Sequence, residues 1–160
     1  MTVLGRIATA GGKLEVRRAL PADVPAILGL LREDSIGAGR ETAEDAVYAA
    51  AFAAVDADPH QLLLVVRDGA GVAATMQVTF IPGLSRGGTL RAQLEAVRVA
   101  SRLRGSGLGS AFLAWVLEEC RRRGASLVQL TTDTRRVEAR RFYERAGFVA
   151  SHTGMKLDLT

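Results

Sequence analysis

The chain divides into short blocks in which apolar residues recur either at every second position or at every third and fourth position. Residues 13–19 alternate and predict a strand, which we expect at the edge of a sheet. Two blocks with helical spacing follow, from residue 21 and from residue 42. Their apolar faces consist of Val24, Ile27, Leu28 and Leu31 in the first helix, and Val47, Tyr48, Ala51, Phe52 and Val55 in the second.

The middle of the chain carries the pattern of a β-hairpin. Residues 61–67 are strongly apolar, residues 68–71 (DGAG) suit a tight turn, and residues 72–81 return as an antiparallel strand. Residues 82–88 predict a flexible connection, and residues 89–99 predict a further strand.

A helix, a strand, a second helix and more strand-like sequence complete the pattern. The helix spans about residues 107–123, and residues 126–132 should run parallel to the strand at 89–99, because a helix connects them. A short helix follows at 137–146, and residues 148–159 have the alternation of a strand. The broad apolar face of the long helix contains Leu108, Phe112, Leu113, Trp115, Val116, Leu117 and Cys120.

Composition indicates one globular domain. The chain has 160 residues, of which 48% are hydrophobic and 24% charged, and we expect the domain to span residues 13–160. Residues 1–12 are expected to form a flexible lead-in or a short strand, and they lack the apolar centre of a signal peptide. No apolar run approaches the about 20 residues of a membrane helix. The single cysteine, Cys120, excludes an internal disulfide and favours a cytoplasmic location.

The net charge of +4 does not by itself indicate nucleic-acid binding, although the isoelectric point is about 10. Arginines are scattered among acidic residues, and the one cluster, at residues 121–123, falls in the last turn of the long helix. Cations there complement the negative end of the helix dipole. We therefore expect no nucleic-acid partner, while an attraction for anionic small molecules remains consistent with the charge.

The stretch from residue 94 to residue 109 (LEAVRVASRLRGSGLG) joins a strand, a glycine-rich turn and a helix start. The first turn of a helix has N–H groups without intrahelical acceptors, and glycine allows close approach of a ligand to the backbone. This arrangement suits a phosphate or pyrophosphate group, and Arg104 adds a positive charge. A Walker loop is excluded because it requires a lysine, and the glycine spacing differs from the Rossmann fingerprint.

Two motifs resemble the GNAT superfamily of N-acyltransferases. Arg104, Gly107 and Gly109 fill its coenzyme A pyrophosphate motif, Arg/Gln-x-x-Gly-x-Gly/Ala. Residues 136–148 resemble its Asn-x-x-Ala-x-x-Phe-Tyr-x-x-x-Gly-Phe segment, except that Arg136 replaces the asparagine. The resemblance implies an α/β (α+β) GNAT fold: a central mixed, mostly antiparallel twisted sheet with a parallel splayed strand pair, flanked by about four helices.

The resemblance also implies site residues. Glu95 would act as general base, often through water, and Tyr143 would protonate the departing thiolate. The two-residue period of a strand predicts that Glu95 shares a face with Val97 and Val99. The backbone of Val97, Arg98 and Val99 would pair with the pantetheine amides. The pyrophosphate would contact the loop formed by Arg104, Gly105, Ser106, Gly107, Leu108, Gly109 and Ser110.

Each assignment has a structural alternative. Glu95 could be an exposed strand residue paired with Arg91 or Arg98, and Tyr143 could be a core tyrosine with its hydroxyl at the surface. Arg136 could meet a coenzyme phosphate or point into solvent. The remaining candidates are Cys120, read as structural, His60 and His152, which lack metal-ligand spacing, and Asp34 and Asp133, read as solvated carboxylates that could contact a cationic substrate.

The resulting hypothesis is an N-acetyltransferase that uses acetyl-CoA as acyl donor, needs no metal, and acetylates a primary amine by direct attack in a ternary complex. The acceptor, a small-molecule or peptide amine, would lie between residues 34–40, the second helix and residues 82–88. The alternative is an acyl-CoA-binding sensor of the same fold without catalysis. The apolar sequence after residue 148 could pair across a homodimer.

Overall fold

Six strands form one sheet in the computed structural model, which describes residues 3–33 and 35–159. They lie side by side in the order in which they occur along the chain. Each neighbouring pair is antiparallel except the last, which is parallel. The strands are β1 (Val3–Thr9), β2 (Gly12–Arg18), β3 (Gln61–Asp68), β4 (Gly71–Ile81), β5 (Arg91–Val99) and β6 (Leu127–Leu130).

Six helical segments accompany the sheet in the described ranges, and two of them, α2 and α4, are single turns. The mixed sheet with one parallel pair and four longer helices confirms the predicted fold class. No helix within the described ranges has the length and apolar character needed to cross a membrane. The segments are α1 (Val24–Arg32), α2 (Ser35–Ala38), α3 (Asp45–Ala57), α4 (Ser85–Gly88), α5 (Leu108–Arg122) and α6 (Val137–Arg145).

Residues 3–9 form β1, which is the strand alternative of the sequence prediction. β1 pairs with β2 and packs on α5. Gly5 faces the ring of Trp115 so closely that any side chain at this position would overlap the indole. β2 therefore lies inside the sheet, and the expectation that residues 13–19 form an edge strand is wrong. Glycine interrupts the apolar pattern of β1, which hides the outer strand from sequence analysis.

The strand expected at the end of the chain is not formed. The described residues of 148–159 form no strand, because alternation determines which side chains share a face but does not supply a hydrogen-bonding partner. In α3, Phe52 is buried whereas Val47 is 57% exposed. The helix contacts the sheet through a small apolar cluster around Phe52 and Val65, while Tyr48 and Val55 of the same apolar face are half-buried.

The sheet has one apolar layer on each face. On the face covered by α5, here called the α5 face, side chains of β3, β4 and β5 pack against Leu108, Phe112, Leu113 and Val116. On the opposite face, here called the α1/α3 face, Ala19, Ile27, Phe52 and Val65 form a smaller cluster. Cys120 is fully buried in the larger layer, and burial raises the pKa of its thiol to about 11. This protonated thiol is a structural group, as predicted.

A buried ion pair attaches the start of α1 to the sheet. The side chains of Arg17 and Asp23 are 4% and 2% exposed, and their closest charged atoms, Nη1 and Oδ2, are 2.7 Å apart. Asp23 also accepts hydrogen bonds from the Leu20 N–H at 2.8 Å and from Arg67 Nη1 at 3.0 Å. The Asp23 carboxylate on the α1/α3 face thus accepts hydrogen bonds from Arg17, Arg67 and the Leu20 N–H.

Candidate active site

β5 has a strand on both sides for only the first part of its length. Its pairing with β4 continues to Val99, but its parallel pairing with β6 covers only Arg91–Leu94 against Leu127–Leu130. Beyond Leu94 the edge of β5 that faces β6 has no partner strand in the part of the chain that the structure describes. The two parallel strands thus separate as predicted, and their separation leaves an opening in the sheet.

A β-bulge lies at the beginning of this opening. Glu95 and Arg98 of β5 pair with Gln77 and Thr75 of β4, so β5 carries one residue more than its partner over this interval. Ala96 accommodates the extra residue with a φ of 51°, a left-handed conformation that is uncommon for a residue with a side chain. The bulge therefore shifts the alternation of side chains along β5 by one position.

The bulge changes the expected position of Glu95. Leu94, Val97 and Val99 all contribute to the apolar layer on the α5 face, so Glu95 points to the α1/α3 face. The prediction that Glu95 shares a face with Val97 and Val99 is wrong, because the two-residue period does not continue through a bulge. Glu95 is exposed, and among the described residues no ion pair joins it to either nearby arginine of β5.

The glycine-rich loop begins directly after β5 and leads into α5. A 3-10 turn at Ser101–Leu103 is followed by Gly105 and Gly107, whose φ values of 78° and 84° lie in the left-handed region. Gly107 is the N-cap of α5, and the Leu108 N–H donates to Ser106 Oγ at 3.4 Å. The N–H groups of Gly109 and Ser110 follow in the first turn, where a helix has no acceptor of its own.

Gly109 brings three parts of the site together. A Cβ atom at this position would lie 3.5 Å from Val99 Cγ2 and 3.8 Å from the ring of Phe142. The start of α5 therefore lies against both the end of β5 and the middle of α6. The motifs that the sequence places far apart meet at one end of the opening.

Glu33 holds the glycine-rich loop from the side of α1. Its carboxylate accepts a hydrogen bond from the Ser101 N–H at 2.8 Å and lies 3.3 Å from Arg104 Nη2. The sequence analysis did not select Glu33, because nothing in the local pattern relates the end of α1 to a loop that begins 68 residues later. Arg104 keeps more than half of its side chain exposed, so it can still reach an anion at the loop.

The ring of Tyr143 lies between two other aromatic rings, one from its neighbour on α6 and one from the segment after α6. Its ring centroid is 5.1 Å from that of Phe142 and 5.7 Å from that of Phe148, both in edge-to-face geometry. Burial raises the pKa of the Tyr143 hydroxyl above its usual range, and the charges of Arg98 and Arg136 oppose this shift only in part. The hydroxyl therefore carries its proton at neutral pH and can donate it.

The two arginines near Tyr143 belong to the predicted coenzyme site. Arg98 Nη1 donates to the carbonyl oxygen of Val97 at 2.8 Å, so this carbonyl already accepts one hydrogen bond on the open stretch of β5. A carbonyl oxygen has a second lone pair and can accept another. Arg136 is the N-cap residue of α6 and is half-buried, which places its charge beside the tyrosine.

A row of polar side chains follows Glu95 across the α1/α3 face. Gln77 Nε2 and Thr79 Oγ1 both donate to Gln61 Oε1 at 2.9 Å, and Gln129 Nε2 donates to Gln93 Oε1 at 2.8 Å. Sequence analysis missed this set because polar residues at alternate positions of a strand usually face solvent. We call these residues, with Glu95, the polar strip: Gln61, Gln77, Thr79, Gln93, Glu95 and Gln129.

Arg40, which follows α2, reaches the far side of the opening. Arg40 Nη2 lies 3.5 Å from Asp133 Oδ2, and Asp133 also accepts hydrogen bonds from the Arg135 side chain and N–H. The hydrogen bonds from Arg135 hold the pKa of Asp133 well below its usual range. Asp133 is thus an ion-paired residue. The other carboxylate suggested for a cationic substrate, Asp34, lies outside the described residues.

The described part of the chain contains no cluster of three or more His, Cys, Asp or Glu side chains that could hold a metal ion. His60 lies near Asp58, and His152 Nδ1 is 2.8 Å from Ser151 Oγ. Both histidines lie outside helices and strands.

The site combines an open strand edge, a helix N-terminus with left-handed glycines, a protonated tyrosine and an exposed carboxylate.

Comparison with known proteins agrees with this geometry. Residues 25–148 match the acetyltransferase (GNAT) family. A stretch of 60 residues is 42% identical to the aminoalkylphosphonate N-acetyltransferase of Salmonella typhimurium, and it covers 38% of this chain and 39% of that protein.

Solved structures with the same fold cover nearly the whole chain. A transcriptional regulator from Bacillus halodurans C-125 is 38% identical, with a TM-score of 0.87 over 91% of this chain and 99% of that one. An acetyltransferase from Trypanosoma brucei is 27% identical, with a TM-score of 0.75 over 91% and 99% of the two chains. The sequence match, the sheet topology and the motif residues agree, and the chain belongs to the GNAT acetyltransferase family.

Proposed function

We propose that this protein transfers an acetyl group from acetyl-CoA to a primary amine by direct attack within a ternary complex. The observation that carries the proposal is the open edge of β5 beside the glycine-capped start of α5. An unpaired strand edge offers alternating N–H and C=O groups to an extended amide chain, and a helix N-terminus offers N–H groups to an anion. Coenzyme A contains an extended amide chain, its pantetheine arm, and an anion, its pyrophosphate.

The residues around the opening fit this substrate. The backbone of Val97, Arg98 and Val99 would pair with the pantetheine amides, and residues 104–110 would surround the pyrophosphate. The left-handed glycines let the loop approach the phosphates, while Arg104 supplies a positive charge. Arg136 would place a second charge on the α6 side of the opening. The net charge of +4 favours capture of this anionic substrate.

Glu95 and Tyr143 would act from opposite sides of β5. The neutral amine nitrogen attacks the thioester carbonyl carbon, a C–N bond forms, and the C–S bond breaks. Glu95, directly or through water, accepts the proton that the nitrogen loses, and the Tyr143 hydroxyl gives its proton to the departing sulfur. Transfer of a proton from Glu95 to Tyr143 through solvent restores both groups, so the products are an amide and a free thiol.

The polar strip indicates the class of acceptor. It offers amide and hydroxyl groups with one carboxylate, which suits a polar amine that arrives from the α1/α3 face. Residues 34–40 and 82–88 would border this entrance. Small amines with additional hydrogen-bonding groups are therefore the first class to test. Aminoalkylphosphonates belong in that panel because of the similarity to the Salmonella typhimurium enzyme.

The test is the release of coenzyme A thiol from acetyl-CoA in the presence of a panel of amines, with the acetylated product identified by mass spectrometry. We expect turnover with at least one polar amine and its loss in the Glu95→Gln, Tyr143→Phe double variant. Full activity of the double variant on an identified amine would refute the mechanism. Binding of acetyl-CoA without turnover of any amine would favour the sensor alternative, although the match to an acetyltransferase family favours catalysis.

A further inference from the structure

The 3-10 turn at Ser101–Leu103 connects β5 to the glycine-rich loop, and carboxylates from two other elements hold this turn. Glu33, directly after α1, accepts the Ser101 N–H. Asp68, at the turn between β3 and β4, accepts two hydrogen bonds from Arg102: Nη1 donates to Oδ2 at 2.5 Å and Nη2 donates to Oδ1 at 3.1 Å. Two parallel hydrogen bonds between a guanidinium and a carboxylate fix orientation as well as distance.

The position of Asp68 is itself fixed by the hairpin. Asp68 is the last residue of β3 and pairs with Gly71, the first residue of β4. Its Oδ1 also accepts the Ala70 N–H at 2.8 Å, and its side chain is 17% exposed. The hydrogen bonds from Arg102 and Ala70 outweigh burial and hold the pKa of Asp68 below its usual range. The hairpin therefore presents an ionised carboxylate in a defined position to the turn before the glycine-rich loop.

Apolar packing does little to hold the loop itself. Residues 104–107 are exposed, and Leu103 before them is only half-buried. A cavity of about 160 Å³ lies between this region and the turn that joins β1 to β2. A segment with few buried apolar contacts opens at a low cost in free energy. The hydrogen bonds to Glu33 and Asp68 therefore connect the loop to the fold. The cavity is lined by Thr9, Gly11, Leu14, Asp68, Leu103, Ser106 and Leu108.

We propose that Asp68 is a positioning residue for the coenzyme: through Arg102 it holds the glycine-rich loop in the conformation that binds the pyrophosphate, without contacting the coenzyme itself. The inference rests on the proposed function, which assigns the pyrophosphate to this loop. Arg102 lies in the turn immediately before Arg104 and Gly105, so a displacement of the turn moves the loop. A loop that already has its bound conformation need not be ordered when the ligand arrives, which lowers the cost of binding.

The opposite role for Arg102 is that of a direct phosphate ligand, since its side chain is 43% exposed. Asp68 would then compete with the coenzyme for Arg102. The two roles predict opposite effects of removing the Asp68 charge: loss of a positioning residue weakens acetyl-CoA binding, whereas loss of a competitor strengthens it. The bidentate geometry and the low exposure of Asp68 favour positioning, because a phosphate would have to displace both hydrogen bonds.

Isothermal titration calorimetry with acetyl-CoA tests the proposal on Asp68→Asn, Arg102→Gln and the double variant. Each single substitution should raise the Kd about three- to tenfold. The double variant should bind no more weakly than the weaker single variant, because all three lose the same contact. Asp56→Asn is the matched control: it removes an exposed carboxylate paired with Arg18, and its Kd should equal that of the unmodified chain.

Two further measurements separate positioning from charge and from general destabilisation. Arg102→Lys keeps the positive charge but cannot form two parallel hydrogen bonds, so it should bind acetyl-CoA nearly as weakly as Arg102→Gln. In turnover of an identified amine, Asp68→Asn should raise the KM for acetyl-CoA and leave kcat unchanged. The melting temperature without ligand shows that each variant is folded.

The outcomes distinguish this inference from the proposed function. An unmodified chain that does not bind acetyl-CoA would refute the proposed function, and this inference with it. If the unmodified chain binds, an Asp68→Asn variant with an unchanged or lower Kd would overturn the positioning role alone. Additive losses in the double variant, full binding by Arg102→Lys, or a fall in kcat at constant KM would overturn it as well.

Discussion

The α1/α3 face of the sheet carries two carboxylates in opposite environments. Asp23 is 2% exposed, is hydrogen-bonded by Arg17, Arg67 and a backbone N–H, and lies where α1 begins. Glu95 is exposed and follows the point at which β5 loses its second partner strand. A buried carboxylate that is ion-paired and accepts three hydrogen bonds stabilises the fold, whereas one at an opening can exchange protons with a substrate or with water.

The environment of Asp23 also determines how it titrates. Burial alone would raise the pKa of this carboxyl, but the hydrogen bond from Arg17, the backbone hydrogen bond and the charges of Arg17 and Arg67 outweigh burial and hold the pKa below its usual range. Its proton is therefore absent at every pH at which the enzyme would work. This ion pair has a structural role. The difference from Glu95 can be tested by substituting each carboxylate and measuring both stability and turnover.

Asp23→Asn should have the largest effect on stability. The variant leaves the nearly buried Arg17 guanidinium without its counter-ion, and breaking such a pair destabilises a protein by about 3–5 kcal/mol. For a domain of this size the melting temperature should fall by about 6–20 °C. Arg67→Met is the matched control, since Arg67 is 44% exposed and its loss should lower the free energy of unfolding by only about 1 kcal/mol.

The pH dependence of stability provides a second measurement on Asp23. Because the folded state lowers the pKa of this carboxyl, its contribution is fully present above the unfolded pKa of about 3.8 and is lost as the pH falls through the lower folded value. Urea unfolding of the Asp23→Asn variant should show a weaker dependence on pH below 4 than the unmodified chain shows. Parallel curves for the two proteins would contradict the structural role.

Tyr143→Phe should have the largest effect on turnover, lowering kcat about 100-fold with little change in the KM for acetyl-CoA, because the proposed role of the hydroxyl is to protonate the departing sulfur. Burial raises the pKa of the Tyr143 hydroxyl above its usual value of about 10, so kcat of the unmodified chain should not fall until the pH exceeds about 10. That alkaline decrease should be absent in the variant. A variant that keeps the decrease would assign it to another group.

Glu95→Gln should lower kcat/KM for the amine by about 10- to 100-fold, while the melting temperature stays unchanged, because the exposed side chain contributes little to stability. The loss should diminish as the pH is raised toward the pKa of the amine, because a larger fraction of the amine is then already neutral in solution. Glu118→Gln is the control: Glu118 is an exposed glutamate on α5 that is paired with Arg121. Equal effects of the two substitutions would exclude a specific role for Glu95.

The Arg104–Glu33 pair should have the smallest effect. Arg104→Ala should raise the Kd for acetyl-CoA about three- to tenfold by removing a charge near the phosphates. Glu33→Gln should lower it about twofold, because an exposed ion pair competes weakly for the arginine. Isothermal titration calorimetry resolves both changes, and Arg121→Ala controls for the change in net charge. A weaker binding in Glu33→Gln would mean that its hydrogen bond to Ser101 matters more than the competition.

The elements that form the proposed coenzyme site could be predicted from local sequence. The glycine-rich loop, the start of α5 and the segment of α6 with Tyr143 lie in two continuous stretches, and the periodicity between them predicts the parallel strand pair. The fold class and the separation of β5 from β6 follow from the same stretches.

The arrangement of the proposed acceptor side could not be predicted in this way. The extra residue at Ala96 has no local signature, yet it moves Glu95 to the opposite face. Glu33 and the glutamines of the polar strip come together only through strand pairing and packing across the fold. A sequence pattern reports which side chains share a face within one element, whereas these groups depend on contacts between elements.

The central claim is that the start of α5 binds the pyrophosphate of acetyl-CoA, and the melting temperature with and without acetyl-CoA tests it most directly. At about 100 times its Kd, the ligand should add about 2.7 kcal/mol and raise the melting temperature by several degrees, whereas ATP should not. Ser110→Glu should abolish this shift by placing a negative charge in the first turn of α5, and Ala114→Glu, later on the same helix, should retain it. A chain that acetyl-CoA does not stabilise, or a Ser110→Glu variant that it stabilises fully, would contradict the account.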